Sequence, residues 1–331
     1  MSGCTMVIDG GTTNLRVTLL DAEGTVLSAV RKEAGVSQTA VDGHNGRLKE
    51  ALGDLIGGLM AQFHLTAKDI GLCAAYGMIT SREGLWEVPH TIAPLDAAQL
   101  RGGIFRKCFP EIAPFPIAFI PGVKNSAASV TLDTFAAMDM MRGEETEAIG
   151  LWELLRPLSG CIFALPGSHN KFVRMDAKGR ILGCMTTLSG EFLSALTHHT
   201  ILSGAVNHGF STAENYDRAM ALAGYREAEA SGLGRAAFAG RILSTLGGLP
   251  PDKIASYLLG AVLCADVQAL AALGGKDTLL YVAGKEPVKT ALCDLVSAAG
   301  LFPSHPVAPD ICARMGVAGA LHIMGETHDG L

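Results

Sequence analysis

Charge is scarce in this chain. Lys, Arg, Asp and Glu make up 18% of its residues, against about a quarter in ordinary soluble domains. The 26 basic and 32 acidic side chains leave a net charge of -6, and no block of five or six cations interrupts the pattern. The electrostatic footprint of a nucleic-acid binder or an anionic-membrane binder is therefore missing. Paired cysteine motifs are missing too. The eight cysteines are widely spaced with no C-x-x-C, so neither a zinc site nor a redox pair is expected and all eight read as reduced thiols. The N-terminus lacks the basic and apolar regions of a secretory signal. The longest apolar run, Ile254 to Ala265, is stopped by Asp266 after 12 residues, short of the roughly 20 that a membrane span needs. Together these absences lead to the expectation of a cytoplasmic protein.

Two nucleotide-binding signatures are also absent. No G-x-x-x-x-G-K-S/T occurs, and no G-x-G-x-x-G follows an apparent strand, so neither a Walker-type nor a dinucleotide fold is supported. What the chain does hold is apolar residue, 49% of the total, and 40 glycines, about 12% against an average near 7%. Disorder is excluded, and 331 residues suit two domains of roughly 150 each.

Short β-rich runs at Met6–Ile8, Leu15–Leu20 and Thr25–Val30 predict a strand, a glycine-rich loop and a hairpin closed by Asp21-Ala-Glu-Gly24. Leu48, Leu52, Leu55, Ile56, Leu59, Met60 and Phe63 repeat at helical spacing. Further strands are expected at Ile70–Ala75 and Pro116–Ile120, and a helix from about Met141 to Leu155. Displaced by 156 positions (Gly11 to Gly167), VIDGGTTNLRVTLLDAEG falls on FALPGSHNKFVRMDAKG, with Thr12 on Ser168, Asn14 on Asn170 and Val17 on Val173. After a one-residue deletion Asp21 and Gly24 meet Asp176 and Gly179. A period of half the chain implies two similar lobes rather than a solenoid. Their expected ranges are 1–156 and 157–331.

In each copy a buried strand runs into glycine, hydroxyls and an amide, groups suited to phosphate oxygens. Asp9 before Gly11-Thr12-Thr13 adds a carboxylate for a hydrated Mg²⁺, and Arg16 adds a cation for an anionic group. The segments Asp9-Gly-Gly-Thr-Thr-Asn-Leu-Arg16, Gly77-Met-Ile-Thr-Ser81, Met141-Arg-Gly-Glu-Glu-Thr146, Leu165-Pro-Gly-Ser-His-Asn-Lys171, Ser189-Gly-Glu191 and Ser256-Tyr-Leu-Leu-Gly260 resemble, in order and spacing, those of the 2-dehydro-3-deoxygalactonokinases, a family of the actin, hexokinase and Hsp70 superfamily. The resemblance covers nearly the whole chain. It implies an α/β fold of two ribonuclease-H-like (actin-like ATPase) lobes with a nucleotide and sugar cleft between them, and transfer from ATP with Mg²⁺ to the 6-hydroxyl of 2-dehydro-3-deoxy-D-galactonate. The chain departs from that family at Gly10, where Trp is usual, at Phe172, where Trp is common, and at Asn170, where Ser is common.

The resemblance also implies site roles. Asp9 would orient Mg²⁺, with Gly11, Thr12 and Thr13 holding phosphates. Gly167, Ser168, His169 and Lys171 would form a second cradle, and Gly284, in Leu280-Tyr-Val-Ala-Gly284, would lie by the adenosine. The general base would be an acid near a helix start, Glu144 by preference and Asp139 in reserve. Asn14, Gly77, Met78, Ser81 and Glu191 would face the sugar acid, whose carboxylate calls for an arginine fork from Arg16, Arg82 or Arg142. His198-His199 and the stripe of Tyr257, Leu258, Leu259, Val262 and Leu263 read as structural. A kinase of another sugar acid or hexose and a nucleotide-gated binding protein stay open as alternatives. The partners expected are ATP and a small sugar acid, with homo-oligomerisation open.

Overall fold

The computed structural model describes residues 3–326 and divides into two compact units, residues 3–158, 178–183 and 313–326 in one and residues 159–177 and 184–312 in the other. The first unit starts with β1 (Cys4–Gly10), β2 (Leu15–Leu20) and β3 (Val26–Lys32), successive antiparallel neighbours. Helices α1 (Val36–Asp42) and α2 (Gly46–Gln62) lead to β4 (Ile70–Gly77), parallel to β1. Then come β5 (Thr91–Ile92), α3 (Ala97–Gly102), β6 (Phe105–Lys107), β7 (Ile117–Phe119), β8 (Val123–Lys124), β9 (Met140–Met141) and α4 (Glu144–Leu155). Six strands make one sheet in the order β3-β2-β1-β4-β7-β6, and β5-β8-β9 make a small second sheet. β1 and β4 are near-continuous apolar runs, as strands covered on both faces must be, and Met6, Ile8, Ala74 and Ala75 are fully buried. The helical stripe foreseen at 48–63 packs Leu48, Leu52, Ile56 and Leu59 into that core.

The second unit repeats the plan. Strands β10 (Cys161–Leu165), β11 (Asn170–Met175) and β12 (Ile181–Thr187) are followed by α5 (Ser189–His199), α6 (Arg218–Ser231), α7 (Leu233–Thr245) and α8 (Pro251–Leu273). β13 (Leu279–Val282), α9 (Val288–Ala298) and β14 (Ser304–Pro306) complete it, and α10 (Pro309–Met324) starts in it and belongs to the first unit from residue 313. The sheet order β12-β11-β10-β13-β14 is that of β3-β2-β1-β4-β7, and the parallel pairings β10 with β13 and β13 with β14 match β1 with β4 and β4 with β7. The register corrects one detail of the repeat. Ile8 pairs with Val17, whereas Ala164 pairs with Phe172, so the one-residue deletion lies in the loop itself and Val17 corresponds to Phe172, not Val173. α8 is long and apolar enough to cross a membrane, but 78% of its apolar window is buried, and it is the core helix of this unit.

Two segments depart from a division at 156–157. The turn at 178–183 packs with the first unit, Leu95 exchanging backbone hydrogen bonds with Ile181. α10 does the same from residue 313 onward, crossing α4 at glycine: a Cβ on Gly319 would lie 1.8 Å from the Thr146 carbonyl oxygen. Residues 327–331, included in the expected second lobe, lie outside the described residues. α4 begins at Glu144 rather than near Met141, since Met140–Met141 pairs with β8 and Gly143 has φ +117, which a helix cannot continue through.

Candidate active site

In the first unit the ends of β1, β4 and α4 meet through backbone. A Cβ on Gly77 (φ +88) would lie 2.8 Å from the Gly10 carbonyl oxygen, and one on Gly143 would lie 3.1 Å from the Gly77 Cα. Side chains at these two positions would push the three segments apart. Gly10 is enclosed as well, Ile79 Cβ being 2.4 Å from where its own Cβ would stand. The aromatic residue common at this position therefore has no room here.

This packing places Asp9 at the end of β1, opposite Arg16 on β2 and beside Tyr76 on β4. Burial holds the Asp9 carboxyl above its ordinary range, with Arg16 pulling it back down. The following turn is closed by Gly11 N–H donating to Asn14 O at 2.9 Å. The carbonyls of Gly11, Thr12 and Thr13 accept from the N–H groups of Val36, Ser37 and Gly35 (3.2, 3.0 and 3.0 Å). Thr12, Thr13 and Asn14 are left with exposed side chains. Among the described residues no group of three His, Cys, Asp or Glu side chains could hold a metal. Mg²⁺, however, keeps several waters and needs only one or two carboxylates beside substrate phosphates, and Asp9 meets that requirement.

The three arginines separate clearly. Arg142 is engaged through both terminal nitrogens. Its Nη1 donates to Thr80 O and Thr80 Oγ1 (2.6 and 2.7 Å), while Nη2 donates to Val88 O (3.0 Å) and lies 3.2 Å from His90 Nδ1. It fastens the Gly77–His90 segment, in which Met78 is half-buried and Ser81 buried. Arg16 and Arg82 are exposed.

α4 presents three acids in its first turn. Glu144 is half-buried, its Oε2 accepting the Arg142 N–H at 3.1 Å. Glu145 is 0% exposed; its two oxygens accept the Gly143 N–H at 3.0 and 2.8 Å, and Oε1 also accepts from Thr146 Oγ1. Glu147, unremarked in the sequence although it lies one turn from Glu144, is raised well above its ordinary range by burial and by Asp9. Asp139 lies outside the helix, just before β9, its Oδ1 accepting the Met140 N–H.

Burial, reinforced by Glu144, pushes Glu145 up to about 7. Between the ordinary value of 4.5 and 7 the folded chain keeps a proton that the unfolded chain releases, so Glu145 costs stability as pH rises through 7, by at most roughly 3 kcal/mol at pH 8. Glu145→Gln is expected to flatten that dependence and to raise the urea midpoint at pH 8 relative to wild type. Parallel losses at pH 5 and pH 8 in both proteins would contradict it.

In the second unit the β10–β11 loop exposes Gly167, Ser168 and His169. Glu191 N–H, in the first turn of α5, donates to Ser168 O at 3.1 Å, and the Glu191 Oε1 lies 2.7 Å from His169 Nε2. Lys171 is 8% exposed and donates to Thr186 Oγ1 at 2.6 Å, so its ammonium serves β12 and does not stand in the loop. Beside the loop is a cavity of about 400 Å³. Its lining combines Gly167, Asn170, Ser189, Gly284 and Lys285 with the apolar side chains of Leu193, Leu259, Val262, Leu263 and Val288. The foreseen core stripe of α8 therefore also lines this space.

Two residues to which motif reading gave no role bear on this loop: Asn170, noted as a departure from the family, and Asp266, noted as the end of an apolar run. Asn170 is buried and its Oδ1 accepts the Gly167 N–H at 3.0 Å. Asp266 is 0% exposed, its Oδ1 accepting from Thr187 Oγ1. Their signals were a polar departure from the family pattern and a lone carboxylate breaking an apolar run.

A family model described as 2-keto-3-deoxy-galactonokinase matches residues 9–318. A candidate 2-dehydro-3-deoxygalactonokinase of Rhizobium meliloti (strain 1021) is 29% identical over 205 residues, 62% of this chain and 60% of that protein. The 2-dehydro-3-deoxygalactonokinase of Escherichia coli (strain K12) is 26% identical over 170 residues, 49% of this chain and 56% of that protein. The chain thus spans less than two thirds of the length of either relative. Among solved structures, a candidate 2-dehydro-3-deoxygalactonokinase from Sinorhizobium meliloti has a TM-score of 0.76 at 24% identity, covering 96% of this chain and 98% of its own. The activator of 2-hydroxyisocaproyl-CoA dehydratase from Clostridium difficile, solved with bound ADPNP, has a TM-score of 0.52 at 12% identity, covering 97% and 94%. These two structures support the actin-like α/β fold.

Proposed function

The chain belongs to the 2-keto-3-deoxy-galactonokinase family, and from that premise we propose that it is an ATP-dependent sugar-acid kinase. The γ-phosphate of ATP would pass to the 6-hydroxyl of 2-dehydro-3-deoxy-D-galactonate, giving ADP and 2-dehydro-3-deoxy-6-phospho-D-galactonate. The observation that carries the reading is the repeat: each unit ends a buried strand in an exposed hydroxyl-bearing turn, and the second turn adjoins a cavity lined by both polar and apolar residues. Phosphoryl transfer is mostly positioning and charge neutralisation, and such turns supply both.

In this reading the apolar side chains of the cavity and Gly284 take the adenosine, and Gly167, Ser168 and His169 take phosphate, with Glu191 holding His169. Gly11, Thr12 and Thr13 bind the transferring group. Asp9 would hold hydrated Mg²⁺, whose chemistry when bound is to neutralise phosphate charge. Asn14, Gly77, Met78 and Ser81 border the acceptor, and Glu144 takes the hydroxyl proton. The eight unpaired cysteines suit a reducing, cytoplasmic setting. The reading is tested by coupled ADP release across a panel of sugar acids and hexoses, with 2-dehydro-3-deoxygalactonate expected to give the highest kcat/KM. A neutral hexose in first place would overturn it in favour of a hexose kinase.

The engagement of Arg142 points to Arg82 or Arg16 for the substrate carboxylate. A neutral sugar would forgo that charge-assisted hydrogen bond, worth about 1.5 kcal/mol, so the acid should exceed glucose or galactose by at least ~10-fold in kcat/KM. Arg82→Met or Arg16→Met is expected to erase most of that gap. Survival of the gap in both variants would remove the arginine fork.

A further inference from the structure

We infer that Asp266 is a positioning residue for the second phosphate loop, acting through the Asn170 amide and the Thr187 hydroxyl to hold the loop backbone at Gly167 and the first turn of α5 in the arrangement that receives a nucleotide phosphate. The inference rests on the nucleotide reading of the 400 Å³ cavity, whose lining includes Gly167, Asn170 and Ser189.

Asp266 stands in the apolar 23-residue helix α8 and is fully buried. A buried carboxylate is costly unless paired, yet no cation contributes to holding its charge. The groups that do so are neutral: Thr187 first, then Ser189 and Asn170. Burial outweighs them and raises the carboxyl to about 6, so it is ionised at pH 8. The second oxygen, Oδ2, has no hydrogen bond of its own. For packing alone an apolar residue would serve better, so the charge calls for another reason.

The reason lies in what the carboxylate orients. Thr187 Oγ1 donates to Asp266 Oδ1 and accepts from Ser189 Oγ at 3.2 Å, which ties the first residue of α5 to α8. On the other side, Asn170 Oδ1 accepts the Gly167 N–H, which leaves its NH₂ to act on the Asp266 carboxylate. An amide between an N–H donor and a carboxylate acceptor has one satisfying orientation, because the flipped form sets NH₂ against N–H. With a neutral amide at 266 both orientations become accessible, and the Gly167 N–H is no longer fixed. A serine at 170, with one short hydroxyl, cannot span the two partners.

The test uses the full chain, with MgATP varied at saturating 2-dehydro-3-deoxygalactonate and Mg·ADP binding followed by calorimetry. Asp266→Asn is expected to raise the KM for MgATP and the Kd for Mg·ADP about tenfold, with kcat within about threefold and the sugar-acid KM unchanged. Asn170→Ser should reproduce this, which covers the case of a misfolded 266 variant. The exchange Asp266→Asn with Asn170→Asp keeps one carboxylate facing one amide and is expected to recover most of the loss. Wild type that binds no Mg·ADP would overturn the nucleotide reading. Wild type that binds it, with variants whose two KM values and kcat fall in parallel with Tm, or with an exchange no better than Asp266→Asn, would overturn the positioning role alone.

Discussion

An Asp9→Asn variant is expected to lose at least about 10³-fold in kcat while melting no lower than wild type. The two halves of that result have one cause. Asp9 is held above its ordinary range by burial, so its negative charge is a cost to the fold at neutral pH; asparagine keeps the shape and removes the cost. What the fold gains, the reaction loses. Charge stabilisation at a transferring phosphoryl group is worth several kcal/mol, and about 4 kcal/mol corresponds to 10³-fold. Arg16, opposite Asp9 on β2, would be left without its counter-charge, so a gain in melting temperature is expected to be small. Single-turnover ADP formation at saturating MgATP, set beside a thermal melt by circular dichroism, separates the effects. Wild-type turnover with an unchanged metal requirement would remove Asp9 from the site.

The part of this arrangement legible in the sequence is the part made by neighbours in the chain. The hairpin turns Asp21-Ala-Glu-Gly24 and Asp176-Ala-Lys-Gly179 announce themselves because a turn needs a left-handed residue, and both glycines have positive φ. The stripe of α2 is legible because burial on one face imposes a period. By contrast β5, β8 and β9 are two residues each, too short for any alternation to register. The role of Arg142 depends on Thr80 and Val88, 62 and 54 residues away, and Asp266 meets Thr187 across 79 residues. No local pattern encodes such partners. Arg142 therefore reads beforehand as a substrate ligand, and Asp266 as no more than the end of an apolar run.

The same distinction bears on the acids of α4, among which the sequence favours Glu144, with Asp139 in reserve before the helix, and leaves Glu147 unremarked. Glu145 has both oxygens on the Gly143 N–H and no exposure. Glu147 is raised well above its ordinary range by burial and by Asp9, so its charged, proton-accepting form is disfavoured. Glu144 keeps Oε2 on the Arg142 N–H, and its Oε1 has no hydrogen-bond partner among the described residues. A base must be unprotonated and within reach of the hydroxyl it serves; Glu144 is half-buried with an oxygen to spare, whereas burial and Asp9 disfavour the charged form of Glu147. Glu144→Gln is accordingly expected to cost at least ~10²-fold in kcat, the low end of general-base contributions. The KM for MgATP should change little, because the nucleotide is assigned to the second unit. Glu147→Gln, which keeps the shape and removes a charge that burial already disfavours, should stay within about threefold of wild type. Near-normal turnover by Glu144→Gln together with a dead Asp139→Asn would transfer the proton-accepting role to Asp139, before β9.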